Sequence, residues 1–142
     1  MIRLPPLRQA LTVATALFAV AFFFWVGVED TAVGPVTALG AAAAVLAFGQ
    51  AVRARWGSRP LSRAEWFILM SLGGAATGLG VAPATALLMA IKVSLHGHAY
   101  PDYSLQAVIG VFTRAPLWGV AGLLVGMGLA LLGLARRRTE LP

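Results

Sequence analysis

Apolar residues run along this chain in four long stretches, separated by short polar segments that carry most of the charge. The first stretch, about Gln9 to Val28, is twenty residues. As a helix it measures ~30 Å, enough to cross a hydrocarbon core of ~30 Å once. Phe22-Phe23-Phe24-Trp25 near its end suits the headgroup boundary. Glu29-Asp30-Thr31 then makes a tight turn, and both acids favour the N-terminal dipole of a second helix, about Ala32 to Val52. Pro35 falls in its first turn, where a missing N–H costs nothing. So short a turn predicts an antiparallel hairpin.

Ser62-x-x-Glu65 has the form of a capping box and predicts a third helix starting at Ser62. The apolar pattern then continues from Arg63 to Leu95, 33 residues. That is ~50 Å of helix against a core of ~30 Å. Either such a helix tilts strongly, or it kinks near Pro83 with its last turns outside the bilayer, and the second is the preferred expectation. The polar turn His96-Gly97-His98-Ala99-Tyr100-Pro101-Asp102-Tyr103 follows, and Pro101 stops any continuing helix. Ser104 or Asp102 can cap a short helix reaching about Thr113. Pro116 then opens a last span, Ala115 to Ala135.

Small residues recur along three of these helices. Gly34, Thr37, Ala41 and Ala44 share one face, as do Gly73, Thr77, Gly80 and Ala84 beside the Gly74-x-x-x-Gly78 motif. Gly119, Gly122, Gly126 and Gly133 form a third such face. Such faces let helix backbones approach closely, so Gly73, Gly74, Gly78, Gly119, Gly122 and Gly126 are the expected packing positions. The fold class is therefore all-α and polytopic, a single integral membrane domain over residues 1–142. Four transmembrane helices form a bundle, at about 9–28, 32–52, 63–95 and 115–135, and the short helix from Ser104 caps its outer side.

Composition agrees. The 142 residues are 59% hydrophobic and 11% charged, with a mean hydropathy of +0.83. Soluble domains carry about a quarter charged residues. The net charge of +6 and pI ≈ 11.4 would suit nucleic acid. The arginines, however, sit at the ends of apolar stretches and form no soluble basic face, so nucleic acid is excluded and the lipid bilayer is the expected partner. With no cysteine, disulfides, thiolate metal sites and Cys nucleophiles are excluded.

Arg3 and Arg8 before an apolar run resemble the start of a signal peptide, but the run is longer than a usual h-region. Val26-Gly27-Val28-Glu29 also makes a poor cleavage site, so an uncleaved first span is expected. Nine of the eleven basic residues lie in the N-terminal segment, the loop from Arg53 to Arg63, or the tail from Arg136. Four crossings put those three regions on one side, and Arg-rich short loops stay cytoplasmic. Both termini are expected inside, with the polar turn 96–104 outside.

Candidate chemistry gathers at that turn: Lys92, His96, His98, Tyr100, Asp102, Tyr103 and Arg114. Lys92 and His96 are four apart and share a helix face. His96-x-His98 with Asp102 offers two imidazoles and a carboxylate, a set that can ligate Zn²⁺ or Cu²⁺ or titrate near neutrality. Lys92 and Arg114 would repel a cation, so no metal and no other cofactor is assigned. They suit an anionic ligand, a lipid phosphate or a partner carboxylate. The same residue types are also ordinary at a membrane boundary: Lys92 can snorkel, Asp102 can close the turn, and Arg114 can pair with Asp102 or with headgroups.

Helices one, two and four hold no ionisable group in mid-membrane. In size and helix count the chain resembles small multidrug resistance transporters. Their glutamate within the first helix has no counterpart here, because Glu29 lies at the turn. Four-helix fluoride channels are also similar in size, but no polar pore motif matches them, and no family is assigned. The expected function is non-enzymatic: lateral docking in the membrane, with itself or with another membrane protein, as an oligomer or accessory subunit. The alternative is a small transporter or channel with an outer-face site at Lys92, His96, His98, Asp102 and Arg114. An enzyme using His96 or His98 as base is the weakest reading, since no paired nucleophile is evident.

Overall fold

A computed structural model describes residues 7–29, 31–57, 59–97 and 102–136. The described chain is all-helical, in the order α1 (Leu7–Gly27), α2 (Val33–Trp56), α3 (Arg63–His96), α4 (Leu105–Thr113) and α5 (Ala115–Arg136). Four stretches are long and apolar enough to cross a membrane: Arg8–Gly27, Val33–Trp56, Arg63–His96 and Leu105–Arg136. The last joins α4 to α5, which only Arg114 separates. α2 runs four residues past the expected Val52, because its Arg53 and Arg55 favour the negative end of the helix dipole and extend its last turn.

α3 is the axis of the molecule. It starts on a complete capping box: the Ser62 hydroxyl accepts from the Glu65 amide at 3.1 Å, and the Glu65 carboxylate accepts from the Ser62 amide at 2.8 Å. Arg59 reaches back to the same carboxylate. The helix continues unbroken through Pro83 and stops at Gly97, which takes the left-handed conformation (φ 61°) that a side chain would oppose. The α3 window is 39% buried against 6% for α1, so α3 is the most enclosed of the four spans.

α5 and α2 both pack on α3, and α1 packs on α2. The α3–α5 contact is backbone on backbone. A β-carbon on Gly74 would collide with the Gly122 carbonyl, one on Gly78 with the Trp118 carbonyl, and one on Gly126 with the Met70 carbonyl. Gly119 receives the Leu79 side chain, and the Trp66 indole donates to the Ala130 carbonyl at 3.2 Å near the far end. On the α2 side, Gly40 meets Thr85 and Gly73 meets the Phe48 ring. Gly49 seats the end of Leu11, which is where α1 rests on α2.

These antiparallel contacts sort the molecule into two ends. Arg8, Arg53, Arg55, Arg59, Arg63 and Arg136 belong to one. The other holds the end of α1, the start of α2, the end of α3 and α4, and the core lies there: Trp25, Val36, Ala82, Leu88, Met89, Tyr103 and Val111. We call these the arginine end and the turn end.

Candidate functional site

Lys92 is the centre of the turn end. Its position near the end of α3 suggests a snorkelling side chain, but the structure buries it completely, at 0% exposure. The Nζ lies 4.7 Å from the centroid of the Trp25 ring, from the end of α1. An ammonium withdrawn from water needs compensation, and the electron-rich ring face supplies part of it. Trp25 is itself only 8% exposed and stands 6.0 Å from the Phe22 ring. Tyr103 closes over the same cluster from the turn before α4.

His96 stands one turn beyond Lys92, half-buried, with its Nδ1 3.0 Å from Asp102 Oδ2. That pairing ties the end of α3 to the segment leading into α4. It also answers the choice of partner for Asp102, which goes to His96 and not to Arg114. His98 and Tyr100 lie outside the described residues. Hydroxyls near His96 in sequence are engaged elsewhere: Ser94 donates to the Ala90 carbonyl at 2.8 Å, and Ser104 accepts the Ala107 amide at 3.2 Å as the cap of α4. Among the described residues, no three His, Asp or Glu side chains gather as a metal-binding group.

Arg114 is placed quite differently from Lys92. It is exposed, and it lines two adjoining cavities. The larger is a trough of ≈ 710 Å³ over α3 between α2 and α5. Its polar lining besides Arg114 is slight: Thr37 and Thr77 donate to the carbonyls of their own helices, Val33 and Gly73, both at 2.7 Å. The smaller cavity, ≈ 300 Å³, continues past Arg114 to Ser104, Gln106, Ala107 and Gly110. A third hollow of ≈ 440 Å³ lies between α2 and α3 and is lined mainly by alanines.

Two residues escaped the sequence reading. Trp25 reads there as a boundary aromatic, and its pairing with Lys92 joins positions 67 apart, which no local pattern reveals. Thr85 is fully buried against Gly40, and its hydroxyl has no hydrogen-bond partner among the described residues. Its spacing of seven from Lys92 on one helix face was the available signal. Comparison with known proteins finds no matching family model, no matching curated protein and no matching solved structure.

Proposed function

We propose that the chain is a small non-enzymatic multi-pass membrane protein that docks laterally in the bilayer, as an oligomer or as an accessory subunit of a membrane complex. Its arginine end faces the cytoplasm with both termini, and the turn 96–104 faces outward, since Arg-rich short segments are retained inside. The observation that carries the docking is the alanine-lined hollow. Most glycines of α3 and α5 are consumed by packing within the chain, whereas Ala43, Ala47, Ala51 and Ala76 border open space. Without large side chains, a neighbouring helix can lay its backbone close there and gain dispersion contacts that lipid tails do not match.

A second copy of this chain is the partner to test first. Native mass measurement in lipid nanodiscs is expected to show oligomers, and Ala47→Leu with Ala76→Leu, which fill the hollow, to shift them to monomer. Monomer alone for the wild type at every protein-to-lipid ratio, with no subunit co-purifying, overturns the reading.

The second reading, a small transporter or channel, draws on the buried Lys92, because an ionisable group deep in a membrane protein is costly and commonly functional. Lys92 lines none of the three cavities described above. Ion or proton flux in proteoliposomes that Lys92→Met abolishes would place this reading first.

A further inference from the structure

Arg114 interrupts an apolar stretch that runs from Leu105 to Arg136. Among the described residues no carboxylate pairs with it: Asp102 is taken by His96 and Glu65 by Arg59. Glu29 lines neither cavity at Arg114. With no carboxylate beside it among the described residues, the Arg114 guanidinium at the head of an apolar trough suits an anionic ligand. The surroundings say what kind. On one side of Arg114 the trough descends along α5 as far as Leu129. Those fifteen residue steps measure ~22 Å, more than half the ~30 Å hydrocarbon core. On the other side the small cavity is lined by Ser104 and Gln106, with no acidic group among its described lining residues.

The trough is lined almost wholly by apolar side chains along that length, and hydrocarbon suits it. We propose that the trough and mouth together bind one anionic phospholipid. An acyl chain lies over α3 between α2 and α5, the phosphate sits on the Arg114 guanidinium, and the headgroup hydroxyls reach Ser104 and Gln106. A zwitterionic headgroup would bring its ammonium beside Arg114, with no carboxylate among the described lining residues to receive it, which sets the preference for net negative lipid. The trough and the alanine hollow share Phe48 and Thr77 as lining, but Arg114 belongs to the trough alone, and lipid retention is read separately from oligomeric state.

The test is native mass spectrometry of the full chain released from nanodiscs containing equal phosphatidylglycerol and phosphatidylethanolamine. The wild type is expected to retain one phosphatidylglycerol in preference to phosphatidylethanolamine. Arg114→Gln is expected to lower that retention about tenfold, with Arg114→Lys between them, as for the loss of one charge-assisted hydrogen bond. Ala121→Phe, at an exposed position on the trough wall, keeps Arg114 but blocks the chain and is expected to lower retention as well. Arg53→Gln, at the other end, is expected to change nothing. Equal retention of the two lipids, or retention by Arg114→Gln equal to wild type in protein of unchanged helicity, overturns the proposal. Loss with Arg53→Gln equal to loss with Arg114→Gln overturns it too, by showing an unlocalised charge effect.

Discussion

Two cations at the turn end meet opposite fates, and neighbours in space decide which. Lys92 points into the core and finds the Trp25 ring, while Arg114, with no carboxylate partner among the described residues, borders open apolar space. The sequence shows both as isolated basic residues near polar turns, and nothing local separates them. The Lys92–Trp25 contact is also where α1, otherwise the least buried span, is tied to α3. We predict that Trp25→Leu lowers thermal stability in detergent more in the wild type than in a Lys92→Met background. The coupling in this double-mutant cycle should be about 1–2 kcal/mol. Additive effects would show that the ring and the ammonium do not interact in solution.

At the scale of elements, the helices were legible and their mutual arrangement was only partly so. Apolar stretches of crossing length, the Ser62 capping box, Ser104 as a cap and Pro116 at the start of the last span are local signals, and the structure has each of those features. Pro83 does not end its helix: α3 runs past it to His96. Which small residues serve packing within the chain was hidden, because a glycine's neighbour is set by register between helices. Gly74 abuts Gly122, whereas a β-carbon on Gly128 of the same α5 helix would meet nothing within 4 Å. Gly74→Ala should therefore destabilise by about 1–3 kcal/mol, as overpacking does. Gly128→Ala should be neutral or stabilise by about 0.5–1 kcal/mol through helix propensity. Melting of the two variants side by side checks both, and equal losses would contradict the α3–α5 register.

For the molecule as a whole, the two hairpins α1–α2 and α3–α5 gather six described arginines at one end and the Lys92, His96 and Asp102 cluster at the other. That polarity was readable from the sequence, because it depends on the order of charges along the chain and not on packing. The open trough was not, since it arises where α2 and α5 pack on α3 rather than on each other. Orientation in the bilayer sets which side each end faces, and the absence of cysteine makes it directly measurable. Single cysteines at Thr31, Arg55 and Gln106 should be probed in intact cells with a membrane-impermeant maleimide. The account predicts that Thr31→Cys and Gln106→Cys are labelled from outside and that Arg55→Cys reacts only after permeabilisation. Labelling of Arg55→Cys and Gln106→Cys from the same side would contradict it.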